Sequence, residues 1–297
     1  MLILKTLLYF SIFKYPLTRD EIFTFSQVKT LEEVDKQLKY LLDKKVVFQF
    51  GIYFSISNSL NSIKRRELGN KKAEAILPKA KKVSKFISKF PYVENVSISG
   101  GLSKNYYDDD GDFDFFIITT PNRLWIARTF LILYKKIFLL NSKKYFCVNY
   151  FISSNYLSIA ERNRFTATEI VTLLPIYGKD LFNQFIKNNQ WSTDLFPNKD
   201  LTKYEDILDI KKSIPAKLLE LIFNTKLGDY LDEILRKLTL KKWKISFDHM
   251  NENDFKIAMK STKNVSKHHP QNFQKKVIQS LEEKYIDITN KHNLEYI

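Results

Sequence analysis

Cysteine is almost absent: Cys147 is the only one in 297 residues. That excludes an internal disulfide and cysteine-rich zinc sites, and it fits a reducing, cytoplasmic setting. Four histidines, two of them adjacent at His268 and His269, give no zinc spacing. Long apolar runs are missing as well. The opening from Met1 to Phe13 is interrupted by Lys5 and is too short to span a bilayer, and no small-residue cleavage site follows it. A cytoplasmic chain without a membrane partner is expected. Glycine is scarce, with seven in all, so two side by side mark a backbone requirement. Internal repeats are absent.

What is present supports folded cores: 44% of residues are hydrophobic and 14% aromatic. The length allows two domains or three small ones. The formal net charge of +15 suits an anionic partner such as nucleic acid, nucleotide or membrane surface. The excess is mostly lysine scattered along the chain, and an A/T-biased genome gives the same composition with no ligand involved.

The N-terminal pattern predicts three helices and a hairpin. Leu2, Ile3, Leu7, Leu8, Ile12 and Phe13 form an apolar face that Pro16 ends. Thr18 to Glu21 and Thr30 to Glu33 read as capping boxes opening the next two helices. Strands are expected at 46–50 and 52–56 around Gly51. Together these suggest a winged helix-turn-helix, which can bind DNA through its third helix, although Glu32, Glu33 and Asp35 stand near that helix's start. Residues 57–62, rich in Ser and Asn, mark a boundary. A basic helical tract follows from Ile63 to Phe90, with interruptions expected near Gly69 and Pro78.

The most informative stretch is Val96 to Thr119. An apolar run ends in Gly100-Gly101, a polar acidic connection covers 102–111, and Asp112-Phe113-Asp114 leads into a second apolar run. Glycines permit positive φ and close approach of a ligand to the backbone. A helix starting after them would offer free N–H groups to phosphate. In a strand, residues i and i+2 share a face, so Asp112 and Asp114 project together. Two adjacent carboxylates repel unless a cation sits between them, and oxygen ligands suit Mg²⁺. Such a constellation fits metal-assisted phosphoryl or nucleotidyl transfer. Asp108 to Asp110 read as an acidic loop.

A Gly followed by Gly or Ser, about ten residues, then Asp-hydrophobic-Asp resembles the nucleotidyltransferase superfamily of DNA polymerase beta over residues 92–153. The resemblance implies that Gly100 and Gly101 contact nucleotide phosphates and that Asp112 and Asp114 hold the metals, Mg²⁺ or Mn²⁺, as the catalytic pair. Lys104 falls where many members carry a basic residue. Gly101 stands where most have Ser, and Ser103 offers a hydroxyl instead. A third acidic ligand is expected on the strand at 144–153, where this sequence has Asn149. Asn149 can ligate a cation through its carbonyl oxygen but brings no charge and cannot act as a base. Glu161 is in range by sequence as a base from elsewhere.

Further on, a helix is expected from Pro121 to about Leu140, with Arg123 and Arg128 placed to clamp a triphosphate. Thr166 to Glu169 reads as another cap, 179–189 as a helix, and the chain from Leu201 onward as helical. The pair His268-His269 reads as surface. The expected fold is α/β (α+β): a winged helix at 1–57, a nucleotidyltransferase-like mixed sheet with helices at 58–200, and a helical C-terminal region at 201–297. The expected function is transfer of a nucleotidyl group from a nucleoside triphosphate to nucleic acid, a small molecule or a protein. The alternative is a catalytically decayed nucleotide-binding regulator that uses the winged helix for DNA or protein contacts.

Overall fold

The first helix, α1 (Leu2–Ile12), buries Ile3, Leu4, Leu7, Leu8 and Phe10 and stops before Pro16. In this computed structural model, which describes residues 2–201, 207–209 and 211–294, the short strand β1 (Leu17–Thr18) and helix α2 (Arg19–Thr24) follow. The capping box is complete: Thr18 Oγ1 accepts from the Glu21 N–H, and Glu21 Oε2 accepts from the Thr18 N–H at 2.8 Å. The second box is displaced by one residue. Thr30 caps α3 (Leu31–Asp43), but the Glu33 carboxylate accepts from the Lys29 N–H at 2.9 Å rather than from the cap. Strands β2 (Phe48–Phe50) and β3 (Tyr53–Ser55) turn at Gly51, where φ is 58°. With β1 they form an antiparallel sheet of order β1-β3-β2.

Helix α4 (Leu60–Ile87) runs unbroken through Gly69 and Pro78, where interruptions were expected. Gly69 is a packing residue: a Cβ there would meet the Tyr106 ring at 2.2 Å. Pro78 removes one intrahelical hydrogen bond, but Ala73, Ala80 and Ile87 on either side are buried in the main core and hold the helix.

The central sheet comprises β4 (Val93–Ser99), β5 (Asp114–Thr119), β6 (Cys147–Ser153), β7 (Leu174–Tyr177) and β8 (Val265–Lys267), in the order β7-β4-β5-β6-β8. Strands β5 and β6 are parallel and joined by α5 (Leu124–Phe138), while the other pairings are antiparallel. The remaining helices are α6 (Arg164–Val171), α7 (Lys179–Asn188), α8 (Gln190–Leu195), α9 (Ile214–Phe223), α10 (Lys226–Ser246), α11 (Glu252–Ala258) and α12 (Phe273–Lys291). The fold is mixed α/β, and no helix among the described residues is long and apolar enough to cross a membrane.

Several boundaries differ from expectation for identifiable reasons. Helix α5 starts at Leu124 and leaves Pro121 in the preceding turn; its first N–H groups, from Trp125 and Ile126, donate to Asp232 of α10 at 2.8 and 2.9 Å. Helix α6 is capped by Asn163, whose Oδ1 accepts from the Thr166 N–H at 2.9 Å, so Thr166 lies inside the helix. The C-terminal region, expected to be helical, supplies the edge strand β8. Its last helix returns to the N-terminal module, where Val277, Leu281, Tyr285 and Ile288 join the core of α1. Of the helix expected from Leu201, residues 202–206 and 210 lie outside the described residues, and Leu208 forms an isolated bridge with Tyr177.

Candidate active site

Alternation along β5 separates two cores. Phe113, Phe115 and Ile117 pack in the main core with α4 and α5, whereas Phe116 and Ile118 pack in a second cluster on the other face. Asp112 and Asp114, both half-buried, share the register of Phe116 and Ile118. Asp114 pairs with Ser99 of β4, the residue before Gly100, so the two halves of the motif meet at one end of the sheet.

Gly100 is required where it stands. Its φ is 67°, and a Cβ would lie 2.5 Å from Asp114 Oδ2. Gly101 is helical, with φ −63°, and a Cβ there would come 3.1 Å from the Tyr106 carbonyl oxygen. The chain after the pair makes a single 3₁₀ turn, Leu102–Lys104, rather than a helix, so the helix dipole considered for phosphate is absent here. Ser103 Oγ and Lys104 Nζ both donate to the Gly100 carbonyl, at 3.0 and 2.9 Å. The acidic loop beyond is tied to α4 by Arg65–Asp108 at 3.5 Å and Lys72–Asp109 at 2.7 Å.

Strand β6 contributes Cys147 and Asn149 through a bulge. Phe115 pairs with Val148 but Phe116 pairs with Tyr150, leaving Asn149 as the extra residue. Strict alternation places Val148 and Tyr150 on one face. The bulge overturns this, since Val148 joins the main core and Tyr150 packs edge-on against Phe116 in the opposite cluster. Asn149 Nδ2 donates to Asp114 Oδ1 at 3.1 Å and to Cys147 Sγ at 3.5 Å. It therefore presents its N–H, not its carbonyl oxygen, to the carboxylate.

A third carboxylate reaches the site from α6. Glu169 pairs with Lys104 Nζ at 2.9 Å, and α6 is seated by Arg164, which donates to Thr6 Oγ1 and the Phe25 carbonyl at 2.7 and 2.9 Å. In the sequence Glu169 looked like a capping residue, and nothing in its spacing signals the site; only the packing of α6 beside the Gly-Gly turn brings it there. Glu161 is committed elsewhere, to Lys260 at 2.9 Å. Arg123 turns to α10, pairing with Asp229. Arg128 lies between indoles, 5.5 Å from the Trp125 ring and 5.0 Å from that of Trp243. His268 and His269 are half-buried rather than on the surface, because the pairing of β8 carries them inward: the His268 N–H donates to the Asn149 carbonyl at 2.9 Å.

The electrostatics are those of a site short of positive charge. Burial, with Asp112 and Glu169 adding repulsion, raises the Asp114 carboxyl from 3.8 to about 6, against the Cys147 thiol and Lys104, which favour its ionised form. Burial, with Asp114 and then Asp112 beside it, pushes the Cys147 thiol well up, so it stays protonated. Asp112 has no hydrogen-bond or ion-pair partner among the described residues. Nor is any group of three or more His, Cys, Asp and Glu side chains among them arranged to hold a metal. Mg²⁺ keeps water and binds through one or two carboxylates plus substrate phosphates, a ligand set that Asp112 and Asp114 could supply. Compared with known families, curated proteins and solved structures, the chain matches none.

Proposed function

We propose that this chain binds a nucleoside triphosphate with Mg²⁺ or Mn²⁺ and transfers its nucleotidyl group to an acceptor hydroxyl. The observation that carries this reading is Asp112, without a partner among the described residues, and the repelled Asp114 on one face, beside a glycine whose missing side chain leaves space against Asp114 Oδ2. Asp112 and Asp114 would hold the metal. Bound there, Mg²⁺ supplies charge neutralisation and polarises the phosphoryl group under attack. Gly100 and Gly101 allow the triphosphate to approach the main chain, with Ser103 and Lys104 as side-chain donors beside it. Lys104, held between Glu169 and the Gly100 carbonyl, keeps a cation next to the carboxylates. Asn149 fixes the orientation of Asp114 through its hydrogen bond.

That hydrogen bond also favours a second reading. A donor where a carboxylate would complete the metal site suits a nucleotide-binding regulator without turnover, with the N-terminal winged-helix-like module making DNA or protein contacts. Incubation with each labelled nucleoside triphosphate and Mg²⁺ or Mn²⁺, with and without RNA, separates the two. Label transfer that is lost in both Asp112→Asn and Asp114→Asn supports the enzyme. Nucleotide bound but never transferred supports the regulator. Unchanged nucleotide binding and transfer in both variants overturns the site assignment.

A further inference from the structure

Helices α9 and α10 leave large apolar side chains in water. At about 100° of rotation per residue, Ile214, Leu218 and Leu221 of α9 share one stripe with Ile222 beside it, and the buried Ala216 lies on the other side. On α10, Leu227, Leu238 and Ile245 share a stripe with Tyr230 beside it, while Gly228, Asp232 and Trp243 are buried on the opposite side. All eight stripe residues are more than half exposed, Ile214 and Leu221 at 76% and 74%. Only Asn224 and Thr225 separate the two helices, so Leu221 and Ile222 stand on one side of a turn and Leu227 and Tyr230 on the other. The turn is tight, since a Cβ at Gly228 would lie 1.8 Å from the Phe223 carbonyl oxygen. An exposed apolar surface of more than a few hundred Å², as eight such side chains make, marks an interaction site.

The charges on the two helices decide the occupant. Each acidic residue is engaged within the chain: Glu220 accepts from the Tyr92 N–H at 2.6 Å, Asp229 pairs with Arg123, Asp232 accepts from the Trp125 and Ile126 N–H groups, and Glu233 pairs with Arg236 at 2.6 Å. The cations stand outside. Lys217, Lys226, Lys237, Lys241, Lys242 and Lys244 are exposed, and Lys241 and Lys242 bracket the line from Leu238 to Ile245. Among the described residues only Lys237 of these six has an ion pair, with Glu233 at 3.7 Å. A second copy of the chain would set like charges against these lysines, each chain carrying +15 overall. Nucleic acid answers the lysines but offers a row of aliphatic side chains nothing apolar to bury against. A bilayer with anionic headgroups answers both. We infer that the α9–α10 face docks on an anionic lipid surface, its apolar stripes at the acyl boundary and its lysines among the headgroups. Tyr230, with an apolar ring and a polar tip, suits that boundary. The expectation of no membrane partner rested on the lack of a spanning segment, and a helix lying in the interface needs none. This docking is independent of the nucleotidyl-transfer reading.

The test is co-sedimentation of the full chain with vesicles of phosphatidylcholine alone and of phosphatidylcholine mixed with phosphatidylserine. Binding is expected on the mixed vesicles, at least about tenfold weaker on phosphatidylcholine alone, and falling as salt screens the headgroups. Leu221→Glu with Leu227→Glu should weaken it at least about tenfold. Lys241→Ala with Lys242→Ala should do the same, each lysine near such a surface being worth roughly fivefold. Lys36→Ala with Lys39→Ala, equally exposed but on α3, should change it by about twofold at most. Every substituted side chain is exposed, so all three double variants should keep the wild-type melting temperature. No binding of wild type to the mixed vesicles, or equal binding of all variants, overturns the inference. Sedimentation velocity and RNA binding name what would replace it. A dimer that Leu221→Glu with Leu227→Glu splits assigns the face to a second copy, RNA binding lost in both the leucine and the Lys241 variants assigns it to nucleic acid, and either result overturns the membrane assignment.

Discussion

Arg66 and Arg128 are both buried, at 6% and 9% exposure, and their surroundings are opposite. Arg66, at the junction of α4 with the N-terminal module, donates to both oxygens of Glu21 at 2.6 and 2.7 Å and to the Pro16 carbonyl, and lies over Tyr15 and Tyr53. Glu21 itself completes the capping box of α2. Every charge there is answered from within the chain. At the central site Asp112 has no hydrogen-bond or ion-pair partner among the described residues and Asp114 is repelled by Asp112 and Glu169, and in the core under α5 the Arg128 and Lys135 side chains have no such partner among those residues either. Closed networks of this kind hold architecture together, whereas carboxylates left open side by side leave a charge for a ligand to answer.

The contrast can be broken at either end. Removing one partner of a buried pair leaves the other charge stranded. Arg66→Ala is therefore expected to lower stability by about 3 kcal/mol, the low end for such a change because Glu21 is partly exposed. Urea unfolding checks it, and a loss under about 1 kcal/mol would mean the junction is not held this way.

At the open site the sign reverses. The Asp114 carboxyl is raised in the folded state, from 3.8 to about 6, so folding binds a proton there at intermediate pH. Its stabilising proton is present below the unfolded value and is lost as pH rises through about 6. Asp114→Asn should therefore raise metal-free stability at pH 7 by up to about 3 kcal/mol, and the gain should vanish near pH 4. The difference between the two proteins is the quantity to measure. Asp232 titrates in the same window, and His268 and His269, lowered by burial to about 4 and 3, pull the other way in both.

Much of the architecture was legible because it is written locally. The Thr18 box, the Gly51 turn and the alternation of Asp112-Phe113-Asp114-Phe115 each depend on residues within a few positions. What was not legible depends on partners distant in the chain. Gly69 and Pro78 read as breaks because the Tyr106 ring and the core beneath α4 are invisible from the helix's own sequence. The bulge at Asn149 is set by the pairing of β6 with β5, and it changed which residues share a face. Glu169 enters the site only through the docking of α6, and α12 packs on a module more than two hundred residues earlier in the chain.

Two smaller changes sharpen the comparison within the site. Gly100→Ala places a Cβ against Asp114 Oδ2 at positive φ, and about 2 kcal/mol of destabilisation is expected. The same change at Gly101, which is helical, should cost less; equal losses in thermal unfolding would contradict the account of Gly100. Asn149→Asp replaces the donor to Asp114 with another carboxylate. Metal-free stability should fall slightly, and Mn²⁺ affinity should tighten roughly tenfold, about 1.4 kcal/mol. Weaker Mn²⁺ binding would place Asn149 outside the metal's reach.

The most direct measurement is Mn²⁺ binding followed by electron paramagnetic resonance, with a non-hydrolysable nucleoside triphosphate present, in wild type, Asp112→Asn and Asp114→Asn. The account predicts saturable, nucleotide-dependent Mn²⁺ binding in wild type and its loss in both variants, each of which remains folded. Equal binding in all three proteins would contradict it.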